Sequence, residues 1–288
     1  MIDFSTLQGL TIPEGVVTEI KDASGRVIWA VSGGKVILEV EKITSDTYAG
    51  ETTYTGEQFI LLDIYPKTNG TVKVTYGGLT KTITETTGSS MIMNATQVFF
   101  GTFNGVTDDV ATPANGTLTI EGDCTHFAVG TYKSGSKSVT QYCSCVTAIV
   151  DFGCIESLGN FAFRDCSKIT NVTIPDVRID GHDTFTGCTG LVSLTIENGV
   201  DKLANSMFYG CTGLTSVTIP SSVTTINEDA FSGCTGLTTV TFANTSGWYV
   251  TETSNGDAST GTAVNVSDPV NNVTLITDTY ASFYWYRS

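Results

Sequence analysis

The chain has 288 residues, 40% of them hydrophobic, and its 29 Asp and Glu against 14 Lys and Arg leave a formal net charge of −15. That acidity repels phosphate backbones and no Lys/Arg cluster offsets it, so nucleic acid is not an expected partner. No apolar run approaches the roughly eighteen residues of a helical bilayer span, so membrane insertion is not expected either.

Taken in order, the amino terminus carries Asp3 where a secretory signal would carry Lys or Arg, and it lacks an unbroken apolar stretch. Either a signal has been removed ahead of Met1 or the protein leaves the cell by another route, and the Met favours the second. Residues 1–32 form a β lead-in or docking segment, with alternating apolar and polar residues and a turn at 22–25 that predicts a hairpin. An isolated hairpin is marginal in water, which makes self-association through residues 1–32 an expectation.

Residues 33–140 read as all-β. Segments 36–43, 59–65, 71–76, 80–84, 97–103, 117–120 and 126–132 are strand-length, separated by Gly, Asn and Pro, with no amphipathic helix among them. Short strands at this density predict a β-sandwich of immunoglobulin-like size, without the Cys and Trp markers of antibody domains.

From residue 141 to about 250 one phrase recurs. Cys143, Cys166, Cys188, Cys211 and Cys234 are spaced by 23, 22, 23 and 23 residues, and Phe163, Phe185, Phe208 and Phe231 travel with them. Between them the apolar offsets also repeat, as in Leu214, Val217 and Ile219 and again in Leu237, Val240 and Phe242. A period in the twenties with this strand pattern predicts a leucine-rich solenoid, whose units bury their apolar faces only by stacking. The recurring Cys then form a buried ladder of small apolar residues rather than disulfides or metal ligands. Cys124, Cys145 and Cys154 lie outside that ladder, and Cys143-x-Cys145 lacks zinc or redox spacing. The first copy places Asp151 where later copies have Ile174, Ile196 and Ile219, which predicts an amino-terminal cap because a carboxylate is costly inside the stack. The Cys166 copy is one residue short, with Arg178 and Thr184 in its apolar series, and predicts a local bulge. Residues 251–288 are expected to close the open end as a β cap, with β segments between 264 and 285.

The signature from Cys211 through Leu214, Val217, Ile219, Pro220, Val223, Ile226, Ala230 and Phe231 to Cys234 resembles the BspA-like leucine-rich repeats of bacterial surface proteins, over about residues 143–242. The resemblance implies a right-handed solenoid of short strands and adhesion to host proteins or other cells, and it supplies no catalytic residue. The lead-in through Trp29 and the ending through Tyr284, Trp285 and Tyr286 are similar to the ends of tail-associated proteins of bacterial viruses.

Chemistry is sparse. His126 and His182 fall in different regions, so no local Ser/His/Asp or Cys/His set can be assembled. His182 beside Asp183 reads as a polar turn, and Asp108, Asp109, Asn255 and Asp257 as solvated turns without calcium-loop spacing. The outward strand positions Ser193, Thr195, Ser216, Thr218, Thr239 and Thr241, with Asn171 and Thr173, form a plain hydroxyl face. Trp248, Tyr249, Tyr284, Trp285 and Tyr286 offer rings either to the cap's packing or to a sugar or protein patch.

The expectation is a non-enzymatic recognition or adhesion module that binds a protein or glycan of a host or neighbouring cell, with no metal or cofactor. It would be extracellular, at the cell surface or on a virion. A virion tail component is the second reading, and a hydrolase with a site between the domains is the third, opposed by the poor residue inventory.

Overall fold

The computed structural model describes residues 70–84, 146–153, 157–179, 181–254 and 259–288, together with the earlier strands whose bounds follow. The chain is mainly β. Glu19–Lys21 pairs antiparallel with Val27–Ala30, so the lead-in is a hairpin, with its predicted turn outside the described residues. One antiparallel sheet runs Val146–Asp151, Val36–Val40, Gly116–Gly122, Thr71–Tyr76, Leu79–Thr84. A second runs Cys124–Ala128, Gln58–Pro66, Thr96–Phe103, Val106–Thr107, with Ile43–Thr44 also on Gln58–Pro66. These two sheets are what the described residues establish of the expected sandwich.

Alternation builds the first sheet's core. Val72, Val74 and Tyr76 are buried while Lys73 is exposed, and they join Leu38, Val40, Leu118 and Ile120 in one apolar cluster. Gly77 and Gly78 turn the chain at φ 58° and 83°, the paired left-handed conformation that a two-residue hairpin loop requires.

In the repeat region, Asn171–Ile174, Ser193–Ile196, Ser216–Ile219 and Thr239–Phe242 stack as a parallel four-stranded ladder. Each strand buries its second and fourth residues, so the apolar offsets of the repeat become a continuous interior. Phe163, Phe185, Phe208 and Phe231 form a column with centroid separations of 5.1, 5.6 and 5.3 Å and interplanar angles of 8°, 9° and 18°. Beside them Cys188, Cys211 and Cys234 donate their thiols to the carbonyls of Phe163, Phe185 and Phe208 at 3.1, 3.2 and 3.0 Å. Cys166, Cys188, Cys211 and Cys234 are all buried free thiols. Burial pushes the Cys188 thiol up to about 12, and the neighbouring Cys234 thiol together with burial raises Cys211. Cys143, Cys145 and Cys154 lie outside the described residues.

The Gly after each repeat Cys is required by stacking. A Cβ at Gly190, Gly213 or Gly236 would stand 2.1, 2.5 or 2.2 Å from a carbonyl oxygen of the preceding rung. In the Cys166 copy that position is Lys168, and it is exposed.

The first and second copies depart from the period in different ways. The strand Val146–Asp151 pairs antiparallel with Val36–Val40 and takes its place in the amino-terminal sheet, while its unit stays in the stack through Ser157–Leu158, which pairs with Arg178–Ile179. Phe152 also packs edge-on against Phe163. Asp151 therefore lies in a strand outside the parallel ladder. In the short copy Ile179, rather than Arg178, takes the buried slot opposite Leu158, and Thr184 is buried with its hydroxyl donating to Gly159 O at 3.2 Å.

The cap corrects one expectation. Residues 264–285 are not continuous β: Pro269–Thr274 is an α-helix, followed by a π-helical turn, Leu275–Thr279. Asp268 caps the helix by accepting from the backbone N–H of Val270 and Asn271, and Pro269 opens it, a start signal present in the sequence. Asn272 is buried and donates to Val240 O at 2.8 Å and Val266 O at 2.9 Å, which ties the helix to the last ladder strand. The β part of the cap is a five-stranded sheet in the order Lys202–Leu203, Thr225–Ile226, Tyr284–Arg287, Trp248–Thr251, Thr262–Ala263.

Candidate functional site

Two sheets of the carboxyl-terminal half present a face to solvent, and the two-residue period of a strand decides what each shows. On the ladder, Asn171, Thr173, Ser193, Thr195, Ser216, Thr218 and Thr241 are exposed and Thr239 is half-buried. They lie in register across the rungs, giving a surface of short polar side chains without ring or charge.

The cap sheet differs. Its inner row, Leu203, Ile226, Trp285 and Val250, is buried, with Trp285 1% exposed and stacked on Phe242 of the last ladder strand. Trp248 is 3% exposed, packs edge-on against Phe242 and donates its indole N–H to Asn244 O at 2.9 Å. The Trp285 indole donates to Tyr280 O at 3.1 Å. Both Trp residues are therefore packing elements, and of the five predicted ring positions only the tyrosines reach the surface.

The outer row is Lys202, Thr225, Tyr286, Tyr249 and Ala263, in register across all five strands. Tyr249 and Tyr286 are half-buried, with ring centroids 5.8 Å apart and an interplanar angle of 28°. A Cβ at Gly261 would stand 2.5 Å from Tyr249 Cδ2, so the missing side chain is what lets the neighbouring segment lie against this ring. Tyr284, two residues before Tyr286, shares its face and is also half-buried.

Burial raises the Tyr284 phenol above its ordinary value, and the nearby Glu228 carboxylate adds to the shift. Burial and then Tyr249 raise Tyr286. Glu228 also accepts from Asn205 Nδ2 at 2.7 Å. Glu228 and Asn205 are residues that strand alternation could not find, because they stand in a turn column. Counting back three residues from each repeat Phe gives Asn160, His182, Asn205 and Glu228, so the repeat period itself was the available signal.

His182 lies in that column at the irregular copy. Its backbone N–H donates to Asn160 Oδ1, its Nδ1 lies 2.7 Å from Asp183 Oδ2, and its ring meets Phe161 edge-on. Asp183 Oδ1 accepts from Arg164 and from Thr186. Burial, opposed by Arg164 and assisted by Asp183, raises Asp165. The arrangement is a surface network tying two rungs together, in keeping with a polar turn.

Among the described residues no group of three or more His, Cys, Asp or Glu is placed to hold a metal. Asp108, Asp109, Asn255 and Asp257 lie outside them, and His126 and Cys124 fall within Cys124–Ala128, which pairs with Gln58–Pro66. A cavity of about 150 Å³ where the first sheet meets the ladder is lined by Ile149, Phe152, Asn171, Val172 and Thr173, none of them ionisable. No helix among the described residues is long and apolar enough to cross a membrane.

Residues 136–250 match the family described as BspA type leucine rich repeat region, in six copies. These residues belong to the BspA-type leucine-rich repeat family. The match ends at residue 250, short of the helix and last strand of the cap. Two solved structures are similar. One is a leucine-rich cell surface protein from Faecalibacterium prausnitzii A2-165, at 25% identity over 42% of this chain and 36% of that one, with a TM-score of 0.30. The other is a leucine-rich repeat protein from Bacteroides ovatus ATCC 8483, at 24% identity over 38% of this chain and 39% of that one, with a TM-score of 0.26. The chain thus spans less than two-fifths of the length of either. No curated protein matches it.

Proposed function

We propose that this BspA-type repeat protein is a non-enzymatic recognition module, displayed outside the cell that makes it, and that it contacts a protein or glycan of another cell through the outer face of its cap sheet. The observation that carries this reading is the alternation along Trp248–Thr251 and Tyr284–Arg287: both Trp residues are spent on closing the solenoid, while Tyr249, Tyr284 and Tyr286 remain half-exposed. Tyrosine rings on a rigid sheet present contact area at low entropic cost, and aromatic side chains usually carry binding energy where small hydroxyls do not. The ladder face then serves as the spacer that sets the cap away from the amino-terminal sheets.

The test is a protein and glycan array probed with the full chain and with a Tyr249→Ala, Tyr286→Ala double variant. Binding that the double variant loses, while its melting temperature stays close to the parent's, is the expected result. Binding that survives it, or that instead disappears with Thr195→Ala and Thr218→Ala, would move the contact surface to the ladder.

A further inference from the structure

Resting on that reading of the cap, we infer that the tyrosine face takes a basic protein segment, with a lysine or arginine side chain of the partner lying over the Tyr249, Tyr284 and Tyr286 rings and its charge turned toward Glu228. Three observations converge on this occupant.

The first is the rings. Tyr249 and Tyr286 are 5.8 Å apart, and Tyr284 lies on the same face at the strand's two-residue repeat of roughly 7 Å. A cationic head lying over an outward ring face of this cluster falls within the ~6 Å over which the ring quadrupole attracts it. The second is the carboxylate. Glu228 follows two residues after Ile226, the strand partner of Trp285, which sets it beside Tyr284, and its carboxylate accepts from Asn205 Nδ2 at 2.7 Å with lone pairs left for a further donor. The third is charge. The chain carries −15, and an acidic surface steers a cationic segment toward it.

Two cations lie near the face, and neither cancels this. Lys202 is at the far end of the outer row, separated from Tyr286 by the Thr225 strand. Arg287 donates to Ser221 O at 2.7 Å and rests over the Trp248 ring. A neutral sugar would be gripped by the same rings but would not respond to salt, and that difference separates the two occupants.

The experiment measures anisotropy of a fluorescent peptide with lysines at alternate positions, and of the same peptide with every lysine acetylated, against the full chain. The unmodified peptide should bind at least about tenfold more tightly than the acetylated one, and its affinity should fall as salt rises from about 50 to about 500 mM. Tyr249→Leu with Tyr286→Leu should weaken it by roughly five- to tenfold, whereas the two Tyr→Phe changes should keep it within about twofold, because the ring rather than the hydroxyl holds the cation. Glu228→Gln should weaken it by about threefold, while Glu197→Gln, an exposed carboxylate after the Ser193–Ile196 strand, should leave it unchanged and so separate the site from bulk acidity. Equal binding of the acetylated peptide, indifference to the Leu changes, or equal effects of Glu197→Gln and Glu228→Gln would each overturn the inference. Neutral oligosaccharide binding lost in the Leu variant, with no peptide binding, would overturn the basic occupant and leave the cap as contact surface. Failure of every ligand at the tyrosines would remove both.

Discussion

The ladder sheet and the cap sheet close the same solenoid, yet their outer faces share almost nothing. The ladder repeats short polar residues at position after position, and each outward residue has a similar neighbour one rung away that it must tolerate. Like charges in register would repel, whereas hydroxyls do not. The cap sheet pairs strands from unrelated parts of the sequence, so its outer row can hold Lys202, Thr225, Tyr286 and Tyr249 side by side. Periodicity restrains chemistry, and the place where the period ends is where distinctive side chains gather.

That comparison is sharpest inside the stack. Phe208→Ala should cost about 3–5 kcal/mol in urea unfolding, because it empties the middle of the ring column, while Thr218→Ala on the outer ladder face should stay within about 0.5 kcal/mol. A small loss at Phe208 would mean that rungs are held by backbone pairing alone.

Two glycines break the comparison differently. Gly213→Ala meets Thr189 O and Leu191 O, at 2.5 and 3.0 Å from the added Cβ, and should cost about 1–3 kcal/mol by forcing rungs apart. Gly210→Ala meets nothing within 4 Å and suffers only from its φ of 69°, so about 1 kcal/mol is expected. Denaturation midpoints of the two variants in the reverse order would contradict the packing described.

At the cap, Asn272→Leu deprives the carbonyls of Val240 and Val266 of their buried donor, and about 1–3 kcal/mol should be lost. Hydrogen exchange should show that loss first in Thr239–Phe242 and fading toward Asn171–Ile174, as nearest-neighbour coupling requires.

The buried thiols should be unreactive to a disulfide reagent near pH 8 in the folded protein and react fully in denaturant, since burial holds Cys188 protonated up to about 12 and Cys166, Cys211 and Cys234 are equally enclosed. Rapid native labelling at these positions would show that the column opens.

The smallest effect concerns pH. The phenols of Tyr284 and Tyr286 are raised in the fold, so the stability they contribute is fully present below the ordinary tyrosine value of about 10 and is lost as pH climbs through their higher folded values. In an absorbance titration, Tyr284→Phe with Tyr286→Phe should remove the latest-ionising part of the curve. Removal of an early part instead would place these rings in water.

The repeat was legible because each stacked position recurs: the Cys and Phe spacings predict the thiol and ring columns, and the Asp268-Pro269 pair holds a helix signal that the expectation of a β cap passed over. The strand readings 59–65, 71–76, 80–84, 97–103 and 117–120 each fall within an observed strand, since alternation is local, while 36–43 and 126–132 only overlap Val36–Val40 and Cys124–Ala128. The candidate site was half legible. Its aromatic residues stood out in composition, but which rings face in and which face out depends on the register of Tyr284–Arg287 between Thr225–Ile226 and Trp248–Thr251.

The sequence by itself determined that identical units must stack, how far apart they recur, and which side chains fill the interior, because apolar burial at a fixed period has one economical solution. Tertiary structure alone decided that Val146–Asp151 joins the amino-terminal sheet and that Tyr286 sits between Thr225 and Tyr249. Pairing between distant strands depends on backbone donors and acceptors that every residue carries, so no local pattern of side chains announces it.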